Sequence, residues 1–247
     1  YSVIGDSLPV VGVPSGVKVY SAVFAVDPES AAMAVEDYLH GRAGLVDSEV
    51  VDVDEDLFRR GELRLRLYGY MKTPATRYMV STSKQPIASD AREEAEAIAE
   101  YLVSELMEEC TLYILGPGTT IKAIADRLGV RKTLLGVDAV HNGRLVGEDL
   151  DEEGILSLLE GYRRVKVLIS PIGGQGYILG RGNQQVSPEV LKRIGIDNII
   201  VIATPSKLAT IKVLRVDTGD PSIDKALKGR YIKVLTAPYR YKLVRIE

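Results

Sequence analysis

TLYILGPGTTIKAIADRLG, residues 111–129, decides the fold. The apolar run TLYIL predicts a buried strand, Gly116-Pro117-Gly118 a tight turn, and TTIKAIADRLG a helix. The same alternation continues downstream. Strand TLLGVDAV, helix DEEGILSLLEG, strand VKVLIS, helix SPEVLKRIG, strand NIIVIAT and the helix-like SKLATI follow in turn. Short apolar strands separated by helices are the pattern of a parallel sheet covered on both faces. The predicted class is therefore α/β, a mostly parallel sheet with flanking helices plus a smaller β-rich portion. The last stretch, RYIKVLTAPYRYKLVRI, reverts to strand pairs.

Upstream of residue 111 a long helix is predicted, with Asp90 and Glu93 as a capping box and a stripe of Ala91, Ala95, Ile98, Leu102 and Leu106. Residues 73–90, with two prolines and several Ser and Thr, predict a loop or domain connection. Before them, residues 49–71 read as β-rich, with a turn at Arg60-Gly61 and one wet face carrying Arg64 and Arg66. Residues 9–26 read as a strand, a glycine-bearing turn and a second apolar run. Asp27-Pro28 then caps a helix that Gly41 and Gly44 close.

Composition narrows the function classes. With 247 residues the chain can bury a substantial core. A net charge of −3 gives no reason to expect a nucleic-acid surface, where a basic stripe would be looked for. No apolar run approaches the ~18 residues of a membrane helix, so no membrane partner is expected. Cys110 is the single cysteine, which fits a cytoplasmic setting. Few Asn, Gln, Cys and Trp beside many charged and β-branched residues suggest a heat-adapted source.

Two strand-end glycine loops are the candidate ligand sites. At the first, Gly116, Gly118, Thr119 and Thr120 offer close backbone approach, a helix N-terminus and hydroxyls to an anion. It is neither a Walker A motif nor a dinucleotide fingerprint. The second is SPIGGQGYILGRGNQQ, residues 170–185, which holds four of the chain's seven side-chain amides. Gly173, Gly174 and Gly176 leave room for a ligand. Arg181 suits phosphate, while Gln175, Asn183, Gln184 and Gln185 suit ribose hydroxyls or a base edge. A third stretch, RVDTGDPSIDKAL, puts Asp220 at a helix cap and Asp217 past a strand, where it can hold Mg²⁺ or accept a hydroxyl proton. Asp138 is a second strand-end carboxylate. His141, beside Asn142-Gly143, reads as part of a turn, and two histidines and one cysteine make no zinc site.

VVGVPSGVKVYSAVFAV, LYILGPGTTIKAIADRLG, KTLLGVDAV, SPIGGQGYILGRGNQQVSPEV and LRVDTGD together resemble the ATP–NAD kinase-like family. The resemblance is to its archaeal and bacterial branch of predicted polyphosphate/ATP–NAD kinases, related to the acetoin-catabolism protein AcoX. It implies an NAD kinase-like fold and phosphoryl transfer from ATP or polyphosphate to the 2′-hydroxyl of NAD, with Mg²⁺. It implies nucleotide contacts at Gly12, Ser15 and Gly16. The family's Gly-Gly-Asp-Gly-Thr motif has no match here and by the resemblance falls just upstream of Tyr1. Residues 1–44 then read as the remnant of an N-terminal lobe, 45–84 as a β-rich segment and connection, and 85–247 as the α/β domain. The partners expected are nucleotide small molecules and further copies of the chain. A sugar-phosphate isomerase or deaminase-like enzyme and a non-catalytic nucleotide sensor are the alternative readings, because the strand–glycine–helix arrangement also suits phosphosugar sites.

Overall fold

The computed structural model describes residues 8–15, 19–53, 65–80, 88–172, 176–211 and 213–247. The chain forms two compact units, Tyr1–Gln85 and Pro86–Glu247.

In the first unit Asp27 caps helix α1 (Pro28–Leu39) as expected, its carboxylate accepting from Ser30 N at 2.7 Å. Gly41, at φ 69°, lets the chain leave that helix. Strands β1 (Leu45–Val53) and β2 (Leu65–Pro74) pair antiparallel, with a bulge between Val50 and Val51. A bulge leaves ladder groups unpaired. Here the buried Ser21 hydroxyl fills the gap, accepting from Val51 N and donating to Glu49 O. The expected strands within residues 9–26 reduce to isolated bridges, Gly12 with Phe24 and Ala25 with Met79. On β2, Leu67, Tyr68 and Tyr70 are exposed together with Arg66, so the single wet face expected there is not found. Arg64 and the predicted turn at Arg60-Gly61 lie outside the described residues.

The second unit opens with helix α2 (Ala88–Tyr101), which ends in a π-helical turn, Leu102–Leu106. Asp90 falls inside this helix instead of capping it. Strand β3 (Leu112–Leu115) leads into α3 (Thr119–Leu128). Next come β4 (Asp138–His141), β5 (Arg144–Gly147), α4 (Glu152–Gly161), β6 (Val165–Ile169) and β7 (Tyr177–Leu179). Then follow α5 (Pro188–Ile194), β8 (Ile199–Ile202), α6 (Pro205–Thr210), β9 (Arg215–Val216) and α7 (Pro221–Leu227). Strands β10 (Tyr231–Ala237) and β11 (Arg240–Arg245) close the unit.

Seven of these strands form one sheet in the order β11-β10-β8-β6-β3-β4-β5. Its centre, β10-β8-β6-β3, is parallel, and an antiparallel hairpin lies at each edge. Strands β7 and β9 make a separate parallel pair. Side chains alternate along the central strands. Tyr113, Leu115 and Leu168 pack with Ile98, Leu102, Ile121 and Ile124 of α2 and α3 on one face. Ile114, Val167 and Ile169 pack with Ile155, Val190, Leu208 and Ile223 of the later helices on the other. The sheet is therefore covered on both sides, and the α/β class with a mostly parallel sheet holds.

The strand expected over TLLGVDAV is shorter and runs antiparallel. Residues 132–137 are irregular because Lys132 Nζ binds the carbonyls of Thr133 and Gly136 as well as Asp138 Oδ2. Asn142 and Gly143 both have positive φ, 48° and 69°, and turn the chain straight back into β5. That hairpin strand was not expected.

Candidate functional site at the carboxyl end of the sheet

Strands β3, β6 and β8 are neighbours and parallel, so their carboxyl ends open side by side. At about 4.8 Å between strands, all three ends lie within roughly 10 Å. Open α/β sheets hold ligands at this edge.

The first component is the Gly116-Pro117-Gly118 turn. Gly116 N donates to Leu168 O, and a Cβ at Gly116 would stand 3.1 Å from both that oxygen and Ile169 Cγ2. Gly118 takes φ 106° and caps α3 without any side-chain hydrogen bond, and the first turn carries no acidic residue. Helix N-termini leave N–H groups unpaired and carry the positive end of the dipole. Thr119 is exposed beside them, whereas Thr120 is buried. Gly118 N is fixed by Leu134 O at 2.8 Å. Leu134 belongs to the irregular segment that the Lys132–Asp138 pair holds. Asp138 is thus a structural carboxylate, fully buried, accepting from Lys132 Nζ, Thr133 N, Thr133 Oγ1 and Asp149 N.

The second component was not visible in sequence. Lys207, in the first turn of α6, donates from Nζ to the buried Ser170 Oγ at 2.9 Å, just past β6. Among the described residues no carboxylate pairs with it. Burial pushes its ammonium pKa down to about 8. The neighbouring Ser206 is tied to Glu94 of α2 through both N and Oγ, and Thr204 caps the helix. Those bonds fix where Lys207 starts. The segment Thr204-Pro205-Ser206-Lys207 after a buried strand was the only sequence signal for it.

The third component is the 170–185 loop. Gly173, Gly174 and Gln175 lie outside the described residues. Gly176 and Gly180 serve the backbone: a Cβ at Gly176 would meet Val213 O at 2.4 Å, and one at Gly180 would meet Asp217 O at 1.7 Å. Asn183 is buried, with Nδ2 on Ile178 O at 2.8 Å, and its Oδ1 is without a partner among the described residues. Gln185 Oε1 is likewise buried and unpartnered, and Gln184 is exposed. Arg181 lies over the Tyr177 ring at 4.5 Å and donates from Nε to Asp217 Oδ2 at 3.0 Å. The structure thus brings together Arg181 and Asp217, two residues expected to have separate tasks.

Asp217 is half exposed. A Mg²⁺ ion takes one or two carboxylates together with phosphates and water, and the Asp217 carboxylate already faces the Arg181 guanidinium through Oδ2. Among the described residues no group of three His, Cys, Asp or Glu could hold a metal ion. Asp220 keeps its capping role, accepting from Ser222 N. Lys192 foremost, and then Ser222, hold its carboxyl well below the usual range. Gly12 and Ser15 lie in the first unit, where a Cβ on Gly12 would strike the Phe24 ring at 2.6 Å, and Gly16 lies outside the described residues. No helix among the described residues is long and apolar enough to cross a membrane.

A family model described as the ATP-NAD kinase C-terminal domain matches residues 108–246, from just ahead of β3 to just past β11. Neither curated proteins nor solved structures gave a match to the chain.

Proposed function

We infer, from the chain's belonging to the ATP-NAD kinase family, whose C-terminal domain its residues 108–246 form, that it moves a terminal phosphoryl group from ATP or polyphosphate to the 2′-hydroxyl of NAD. At the level of the family it is an NAD kinase-like phosphotransferase. The long glycine-amide segment supports its place in the archaeal and bacterial branch.

The observation that carries the reading is Lys207: a half-buried lysine whose ammonium donates to Ser170 and, among the described residues, meets no carboxylate, at the sheet end that bears the Gly118 turn. Phosphoryl transfer needs little covalent help from a protein and much charge neutralisation and alignment. In this reading the donor's phosphates lie against the first turn of α3 and the Lys207 ammonium. The acceptor hydroxyl attacks the terminal phosphorus, and the bond to the bridging oxygen breaks with its electron pair leaving on the donor. Asp217 Oδ1 takes the hydroxyl proton while Arg181 fixes the carboxylate through Oδ2. A divalent cation that travels with the phosphates is part of the substrate.

The test is NADP formation by the full-length protein from NAD with ATP or with polyphosphate, read by an NADP-specific dehydrogenase. NADP should appear, and Asp217→Asn should remove most of the turnover. No NADP from either donor overturns the assignment. Calorimetric binding of a phosphosugar without binding of NAD moves it to a sugar-phosphate isomerase.

A further inference from the structure

The opposite end of the same sheet carries a cavity of about 520 Å³. Small-molecule sites span about 300–1,000 Å³. Its wall includes Thr111 and Val165, where β3 and β6 begin. At about 3.3 Å per residue, the length of β6 puts it roughly 15 Å from the glycine turn.

The lining is cationic. Arg163, Arg164, Lys166 and Arg193 face one carboxylate, Glu108, in a chain whose net charge is −3. Glu108 is committed to Lys166 at 2.5 Å, with Arg164 only at 3.9 Å. Arg193 has Glu189 at 3.7 Å on the surface of its own helix, a pair of the kind that contributes little. Arg163 has no acidic partner among the described residues. Four like charges around one hollow repel unless an anion joins them. Guanidinium groups also match phosphate bidentately. Leu159 and Tyr162 supply an apolar side to the wall, the Tyr162 ring being steadied by His141 at 4.8 Å between centroids.

We propose that this cavity binds the phosphate groups of a polyphosphorylated small molecule, separately from the transfer site at the carboxyl end. The proposal stands on the cavity and its charges and does not depend on which acceptor the transfer site uses. A nucleoside polyphosphate and an inorganic polyphosphate present the same phosphate chemistry here, and Tyr162 tells them apart.

Isothermal titration of the full-length protein with inorganic tripolyphosphate tests it. Arg163→Ala/Arg193→Ala should weaken this binding about tenfold or more, and Lys207→Met should leave it in place. Both arginines are exposed, so the double variant should keep the wild-type thermal midpoint. In Lys207→Met, which removes the transfer-site ammonium, ATP binding tighter than tripolyphosphate, with the excess lost when Tyr162→Ala is added, identifies a nucleotide. Equal affinities identify an inorganic chain. An unchanged isotherm in Arg163→Ala/Arg193→Ala overturns the proposal, as does loss of all tripolyphosphate binding in Lys207→Met.

Discussion

Asp138→Ala should destabilise this protein more than any surface substitution, and the size follows from what it leaves behind. Asp138 and Lys132 have fully buried side chains 3.0 Å apart. Removing the carboxylate takes the acceptor from Thr133 N, Thr133 Oγ1 and Asp149 N, and leaves the Lys132 ammonium with two carbonyls. Burial already lowers the Lys132 pKa, and Asp138 foremost, with Asp149 behind it, opposes that shift. Breaking a buried pair from one side costs about 3–5 kcal/mol. With a urea m-value of about 2 kcal/mol/M, the midpoint should fall by roughly 1.5–2.5 M. Urea titration followed by far-ultraviolet circular dichroism measures it. Lys132→Met/Asp138→Leu should recover much of the loss, since well-packed apolar replacements of buried pairs are often neutral. A fall in Asp138→Ala below about 0.5 M refutes the reasoning, because a buried ammonium stripped of its partner cannot cost so little.

Gly180→Ala should cost about 2–5 kcal/mol, from a backbone at φ 92° and a Cβ aimed at Asp217 O, and should cut turnover by displacing Asp217; urea melts and the NADP assay read the two effects. Gly118→Ala meets no atom within 4 Å, so its cost should stay near the strain of φ 106°, about 1–2 kcal/mol, while donor affinity falls with the distorted turn. Asp217→Asn should keep the thermal midpoint and lose turnover, because the residue is half exposed; wild-type turnover in this variant would remove Asp217 from the chemistry.

The central strands were legible because burial on both faces writes continuous apolar runs such as YIL and VKVLI, and because Asp27, Asp151, Ser187 and Asp220 announce the helices they cap. The β4–β5 hairpin was not. Its outer strand RLVG is short and half exposed, and the segment before β4 is shaped by a lysine reaching back to backbone carbonyls. The glycine turn was legible as structure, because Gly116-Pro117-Gly118 separates an apolar run from a helical one, and the strand and helix lie on either side of it. Lys207 was not, since its burial and its bond to Ser170 join residues 37 positions apart. The amides of the second loop were read as ligand contacts. Asn183 spends its nitrogen on a neighbouring carbonyl, a local role that composition cannot distinguish from recognition.

The most direct measurement is the pH dependence of ATP affinity in the wild type and in Lys207→Arg. An amine whose pKa is lowered to about 8 is charged below that pH and neutral above it. Wild-type affinity should therefore weaken as pH rises through about 8, and Lys207→Arg, charged throughout, should hold its affinity over the same range. A wild-type affinity flat across that range, or Lys207→Met binding ATP as tightly as the wild type below it, contradicts the account.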